Sequence, residues 1–374
     1  MTMQRIAILG ASGGIGHFVT QWLAELGYPL RLGARQPLSL RSLALRYAAQ
    51  WQTVDLWHDD ALRRFCAECS LVINCAGPSY QVLDRVANAA AEAGADYIDV
   101  SGDGPAWQLL RQRTPVAGWR AVLSAGMLPG LANLVPRGLS DRLGGSLTVW
   151  CGGIERIGGA AAADLVLSLN EQHNALAPSD YWYGEAGASW RLGRRCRHSL
   201  TAQRQDSLPH FPGQVTLLPY LSADVERLAL DRQLANVQWY NVFCGNRLHD
   251  TLTGLRGALD GTSASLSKAI HAVEAASAID LLGFRPWYHM VFDLQQEGCA
   301  TTRAVVATES SQALSAAVAV SCARRVLQGE IAPGIHFADS VLPAKETLEE
   351  VCRLHRGTSI QQYQPDLQHE EGAL

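Results

Sequence analysis

A chain of 374 residues, 48% of them apolar, is long enough for two hydrophobic cores and reads as a soluble globular protein. Its net charge of −4 leaves no basic footprint for nucleic acid or for an acidic membrane surface, and no apolar run is long enough to span a bilayer. The first residues lead directly into a strand rather than a signal peptide, and nine cysteines without framework spacing fit reduced thiols, so a cytoplasmic setting is expected.

Ile6–Leu9 forms a short aliphatic strand that runs straight into Gly10-Ala11-Ser12-Gly13-Gly14-Ile15-Gly16. Apolar residues at Val19, Trp22, Leu23 and Leu26 then repeat at helical spacing until Gly27. Strand, glycine turn and helix N-terminus are what a dinucleotide pyrophosphate needs. Gly10 allows the turn, Gly13 and Gly14 let backbone N–H groups approach phosphates, and Gly16 lets helix and sheet pack closely. Glycines also punctuate ordinary turns, but here they follow an aliphatic strand directly, and that context favours the dinucleotide.

Pro29–Arg35 reads as the second strand, whose end should lie by the adenosine ribose. An acid there would accept hydrogen bonds from a free 2′-hydroxyl. The residue is Arg35, and no acid stands between Gly27 and Trp51. A guanidinium pairs with a 2′-phosphate, so the expected cofactor is NADPH/NADP rather than NAD. The bland alternative is an arginine pointing at solvent.

Further along, Leu38–Gln50 reads as a helix, Trp51–Asp55 as a strand, and Asp59–Phe65 as a helix. Cys66-Ala67-Glu68-Cys69 sits where that helix runs out, with no second pair or histidine to complete a zinc set. It reads as a helix end, and no metal site is expected. Leu71–Asn74 is a strand, Tyr80–Ala93 a helix, Tyr97–Val100 a strand, Trp107–Arg113 a helix, and Ala121–Leu123 a strand. Such alternation predicts an α/β fold with an N-terminal Rossmann domain, a doubly wound parallel sheet.

After Gly126 the rhythm changes. Leu147–Cys151 and Val237–Phe243 read as strands, and Gly159–Leu169 and Lys268–Leu281 as helices. Trp287–Gln295 and Ala300–Thr308 read as a hairpin, Glu309–Leu327 as a long helix, and the polar residues from Gln361 as a frayed tail. Strand beside strand predicts a second α+β domain with a mixed sheet. Tyr181, Trp182, Tyr183 and Trp190 wall a pocket or pack in a core or dimer contact.

Three polar or glycine-rich turns should share one edge of the first sheet: Asn74-Cys75-Ala76-Gly77-Pro78, Asp99-Val100-Ser101-Gly102-Asp103, and Ser124-Ala125-Gly126-Met127-Leu128-Pro129-Gly130-Leu131. With the glycine turn, these motifs make the sequence resemble the saccharopine dehydrogenase (saccharopine reductase) family. Cys151-Gly152-Gly153 and Ala332-Pro333-Gly334-Ile335 look like the same family. The resemblance implies an NAD(P)H-dependent oxidoreductase acting at a carbon–nitrogen bond. It also implies three regions: an NADP-binding Rossmann domain in 1–128, a substrate-binding and dimerisation domain in 129–330, and a C-terminal segment returning to the Rossmann domain in 331–374. The cofactor-binding candidates are Gly10, Ser12, Gly13, Gly14, Ile15, Arg35, Cys75, Ala76, Gly77, Pro78, Ser101 and Gly126.

A rival reading is a short-chain carbonyl reductase, whose glycine spacing Gly10, Gly14 and Gly16 also satisfy. That chemistry needs a tyrosine activated by a lysine one helical turn later. The only lysines are Lys268 and Lys345, and neither follows a tyrosine at that spacing. A non-catalytic, NmrA-like NADP-binding regulator is a second rival, which a complete second domain disfavours. Reducing an iminium needs a positioned hydride above all. Tyr80, Asp99 and Asp103 are the catalytic candidates, with Asp99 open to a strand-end capping role; His173, His249 and His289 acquire no role. The partner expected is a small-molecule substrate. A homodimer is expected too, because apolar residues on both alternating sets of the hairpin (Tyr288, Met290, Phe292, Val305 and Val306) suggest an edge in need of cover.

Overall fold

The computed structural model describes residues 4–113, 116–169, 182–205, 207–255, 258–260 and 262–365. From the N-terminus, β1 (Ile6–Leu9), α1 (Gly14–Glu25), β2 (Leu30–Ala34), α2 (Pro37–Arg46), β3 (Gln50–Thr53) and α3 (Asp59–Cys66) alternate. β4 (Leu71–Asn74) precedes two short helices, α4 (Ser79–Val82) and α5 (Arg85–Glu92), then β5 (Asp96–Asp99), α6 (Gly104–Arg111) and β6 (Arg120–Leu123). The expected single helix over Tyr80–Ala93 is therefore two, broken at Leu83, where φ is 51°. No glycine or proline marks that break, so the apolar spacing reads straight through it.

Past α7 (Leu131–Leu139) come β7 (Ser146–Ile154), α8 (Gly159–Ser168), β8 (Gly184–Ala186), β9 (Ser189–Arg191), β10 (Arg194–Cys196) and β11 (Gln203–Gln205). There follow β12 (Val215–Ser222), α9 (Ala223–Asp231), β13 (Asn236–Phe243), α10 (Asn246–Leu255), α11 (Ser263–Asp280), β14 (Trp287–Gln295) and β15 (Thr302–Thr308). The last elements are α12 (Ser311–Gln328), β16 (Gly334–Phe337), α13 (Ala338–Val341), α14 (Ala344–Leu354) and β17 (Thr358–Tyr363).

The chain divides into two compact units. Among the described residues, the first runs to Leu131 and resumes from Gln312 to His355; the second runs from Ala132 to Ser311 and resumes at Arg356. The expected return of the whole of 331–374 to the first domain needs correction. β16 joins the first sheet, but β17 pairs with β15 in the second, so Gln361–Tyr363 belong to a strand rather than a frayed tail. α12, expected in the second domain, groups with the first from Gln312 onward.

In the first unit, seven described strands lie in the order β16-β6-β5-β4-β1-β2-β3, and every pairing is parallel. β1 and β4 are adjacent at the point where strand order reverses, which is where doubly wound sheets bind ligands outside the strands' carboxyl ends. β1 and β4 are buried throughout, as a parallel sheet covered on both faces requires.

In the second unit, the sheet order is β10-β9-β13-β7-β14-β15-β17, with β12 pairing β13 and also β8 and β11. β13 and β7 are parallel and their other neighbours antiparallel, so the sheet is mixed. The hairpin β14–β15 is not an exposed edge: β14 lies between β7 and β15, and β15 between β14 and β17. Tyr240, Val291 and Val305 pack with Leu208, Phe211 and Leu217 on one face. On the other, the row Trp239, Val149, Phe292 and Ala304 is also buried. Apolar residues on both alternating sets mark a strand covered on both faces. The edge argument for a dimer therefore does not hold.

Candidate functional site

The glycine turn is tied to the neighbouring strand by Gly10 N–H and Ala11 N–H, which donate to the Gly33 carbonyl at 2.8 and 3.1 Å. Gly10 has φ 77°, and a Cβ there would lie 2.8 Å from Ala76 N. It serves the turn and also lets the loop after β4 press against it. A Cβ at Gly16 would run into the Gly10 carbonyl and lie 2.8 Å from Ala11 Cα, so this glycine sets the approach of α1 to β1. Ser12, Gly13 and Gly14 are exposed and Ile15 half-buried. Gly13 is the N-cap of α1, and no side chain caps that helix. The first-turn amides therefore lack a side-chain acceptor, which suits them to an anion.

Arg35 leaves the end of β2 exposed, and among the described residues it has no hydrogen-bond or ion-pair partner. Arg31 on the same strand is different. It donates to the Phe65 and Ala67 carbonyls at 3.0 and 2.5 Å and is a structural brace.

The turns after β4 and β5 are organised by Asp99, which is 2% exposed. Its carboxylate accepts from Asn74 Nδ2 at 3.0 Å, Ser101 N–H at 3.0 Å, Gly102 N–H at 2.6 Å and the Tyr97 hydroxyl. Asn74 Oδ1 in turn accepts from Ala76 N–H at 3.1 Å. A Cβ at Gly102 would lie 2.7 Å from Asp99 Cγ, so the loop closes on the carboxylate. Burial pushes the Asp99 carboxyl above its usual range, although the donors from Tyr97, Asn74, Gly102 and Ser101 pull it back. Burial and the Asp99 charge hold the Tyr97 phenol well above its usual value. With four donors on its two oxygens, Asp99 has the contacts of the strand-end capping alternative, holding two edge loops.

Ala76, Gly77 and Pro78 are half-buried in the loop after β4, and Pro78 is the N-cap of α4. Cys75 in the same loop has its thiol raised by burial, with the Asp99 charge adding to the shift, so it is no thiolate nucleophile near neutral pH. Tyr80 stands half-buried on α4, and Asp103 is the half-buried N-cap of α6. The third turn is locked to the second, since Ser124 N–H donates to the Gly102 carbonyl at 2.8 Å and Ala125 N–H to the Asp99 carbonyl at 2.9 Å. Ser124 takes φ 57°, and Gly126 sits so close to Val100 that a Cβ would lie 2.5 Å from its carbonyl. Ser101 is half-buried beside Gly102. All three predicted turns thus share the carboxyl edge of the first sheet with the glycine turn.

A cavity of about 360 Å³ in the first unit lies elsewhere, lined by Trp57, Arg63, Gln81, Arg85 and Glu92 among others. Its cations are already paired, Arg63 with Glu92 at 3.1 Å and Arg85 with Asp59, so it offers no free charge to an anionic ligand. Cys66 is buried at the end of α3 with its thiol pushed up to about 12, again by burial. Among the described residues no group of His, Cys, Asp and Glu is arranged to hold a metal ion.

The aromatics of the second unit separate. Trp190 is a core residue, 4% exposed, donating from Nε1 to the Leu234 carbonyl at 2.9 Å. The Arg195 guanidinium lies 3.4 Å from the centre of the Trp182 ring. His289 Nδ1 is bonded to the His210 carbonyl and His249 Nδ1 to Asp250 Oδ1, while Tyr181 and His173 lie outside the described residues. Sequence reasoning missed the roles of Asn74 and Tyr97 around Asp99. It also missed Gln312, which comes to the glycine turn from a distant helix.

Residues 6–121 match the family described as the saccharopine dehydrogenase NADP binding domain. A probable mitochondrial saccharopine dehydrogenase-like oxidoreductase of Arabidopsis thaliana is 36% identical over 115 residues, which is 26% of this chain and 25% of that protein. The match thus spans about a quarter of that relative's length. The fold is similar to that of apo saccharopine dehydrogenase (L-Glu forming) from Saccharomyces cerevisiae, with a TM-score of 0.67 and 14% identity, covering 96% of this chain and 100% of that one. Among the described residues no helix is long and apolar enough to cross a membrane.

Proposed function

We propose that this protein is an NADPH-dependent oxidoreductase of saccharopine-reductase type that reduces a C=N bond to an amine. The substrate class is an amino-acid-derived or secondary-metabolite imine, such as a siderophore- or peptide-like compound. The observation that carries the reading is the pairing of an uncapped helix N-terminus at the glycine turn with Arg35, exposed and partnerless at the end of β2. These residues fit the cofactor: the turn's amides would hold the pyrophosphate and Arg35 the 2′-phosphate. Ser12, Ile15, Cys75, Ala76, Gly77, Pro78, Ser101 and Gly126 would line the remainder along the same edge. When bound, NADPH supplies the hydride.

The protein's own part is to place the substrate carbon and to keep the edge loops in register, which the Asp99 network does. An iminium already carries its positive charge, so little proton transfer is asked of the protein before hydride arrives. Tyr80 and Asp103 follow directly on two of the edge turns and are the proposed substrate-contacting groups. Carbonyl reduction of the short-chain type is disfavoured because neither lysine follows a tyrosine at the required spacing.

The test has two steps. Purified protein is titrated with NADPH by fluorescence, and nicotinamide absorbance is then followed with a panel of cyclic imines, of oxo acids mixed with amines, and of plain ketones. Turnover confined to the first two groups supports the proposal. Reduction of ketones alone, or binding without any turnover, overturns it in favour of a carbonyl reductase or a regulatory NADP-binding protein respectively.

A further inference from the structure

Gly14 is the first residue of α1, and its φ lies outside the left-handed region, so the backbone alone does not require glycine there. Space does. A Cβ on Gly14 would run into the end of the Gln312 side chain, meeting Oε1 and Cδ and lying 2.9 Å from Nε2. A residue nearly three hundred positions away thus rests its amide on the exposed turn that the dinucleotide needs. Among the described residues the Gln312 side chain has no hydrogen-bond partner, although it is half-buried. A half-buried amide without a partner forgoes the stabilisation that a ligand could restore.

The backbone that carries it is firmly held. Ser315, one turn further along α12, accepts from Met127 N–H at 3.2 Å, which fixes the helix start to the loop after β6. Ala313, Leu314, Ala316 and Ala317 are fully buried. Only the side chain of Gln312 is left free to adjust.

We propose that Gln312 is a cofactor-contact residue that closes over the glycine turn and donates from Nε2 to the pyrophosphate of NADP. The turn's amides approach the same anion from the end of α1, and the Gln312 amide adds a charge-assisted donor from a second element. Because NADP and NAD share the pyrophosphate, this contact contributes affinity without discriminating between them. Arg35 alone would discriminate. The proposal rests on NADP binding at this turn.

The experiment is a fluorescence titration of the full chain with NADPH and with NADH, for wild type, Gln312→Ala and Gln312→Glu, alongside melting of each protein without cofactor. Gln312→Ala should raise the Kd for both dinucleotides about tenfold. Gln312→Glu places a carboxylate by the phosphates and should raise both about a hundredfold. The melting temperature without cofactor should stay within about 1 °C, since a half-exposed amide without partners braces nothing. Unchanged Kd values in both variants, or a loss confined to NADPH, would overturn the role of Gln312. Lower melting temperatures that account for the weaker binding would make it a structural residue and overturn it equally. Wild-type protein that binds neither dinucleotide would instead remove the cofactor reading itself.

Discussion

At the end of β2, Arg35 carries its guanidinium into solvent without a partner, whereas Asp99 at the end of β5 is sealed among four donors. The contrast predicts different failures. Arg35→Ala removes one charge-assisted contact, worth about 1.5–3 kcal/mol. NADPH should therefore bind about ten- to a hundredfold more weakly, with NADH nearly unchanged and the unliganded protein no less stable. Equal losses for both dinucleotides in a titration would show that Arg35 is not the discriminator. Asp99→Asn keeps the shape but replaces one acceptor oxygen with a donor that faces other donors, so unfolding free energy should fall by about 2–4 kcal/mol. Denaturant unfolding measures it. A variant of undiminished stability that had lost only kcat would restore Asp99 as a catalytic group.

Elements are held by similar polar devices, and α12 and α14 show one. Glu350 accepts from Ser321 Oγ at 2.5 Å, from Arg325 Nη1 at 2.8 Å and from Arg324. Burial works to raise the Glu350 carboxyl, but the Ser321 and Arg325 hydrogen bonds and the two arginine charges outweigh it, and the group is held below the usual glutamate range. A carboxyl with a lowered folded-state pKa adds stability that is present above about pH 4.5. That stability is lost as pH falls through the folded value, because the unfolded chain takes up the proton first. Acid titration of wild type should therefore show a stability loss beginning below about pH 4.5, and Glu350→Gln should remove that portion of the pH dependence. At neutral pH the same variant leaves Arg325 under-paired and should cost about 3 kcal/mol in denaturant unfolding. An identical acid profile in both proteins would exclude Glu350 as a contributor.

For the whole molecule, legibility in the sequence followed how local each signal is. Within the first unit β1, β2, β4 and β6 are short runs rich in aliphatic residues and bounded by glycine or polar turns, each readable by itself, whereas β16, Gly-Ile-His-Phe, carries no such run and does not read as a strand. The glycine turn and the three edge turns are likewise contiguous segments. Contacts made by distant residues left no such mark: Gln312 on Gly14, Asn74 on Asp99, and the pairing of β17 with β15 all join segments far apart in the chain. β12 was missed although its burial alternates residue by residue, because Leu218 and Tyr220 make the half-buried set apolar as well and Pro219 stands in the middle of the strand. The helix over Tyr80–Ala93 failed for the opposite reason, an unbroken apolar rhythm over a backbone that breaks.

The hairpin β14–β15 shows how the same residues support two readings until the neighbours are known. Apolar side chains on both sets suit an exposed edge seeking a second copy and equally a strand buried on both faces, and the sheet order selects the second. Phe292 lies in a buried row with Val149 and Ala304, and its ring meets Trp239 edge to face at 6.3 Å. Phe292→Asp would set an unpaired carboxylate in that row and open a cavity, a combined cost above about 4 kcal/mol. The expected result is loss of folded protein, seen as a collapsed circular dichroism signal or aggregation. The same change at Phe284, 61% exposed, should leave stability within about 0.5 kcal/mol. Self-association is thereby separated from the hairpin, and a homodimer, if light scattering finds one, must use another surface. A well-folded Phe292→Asp protein of half the wild-type mass would return the interface to β14.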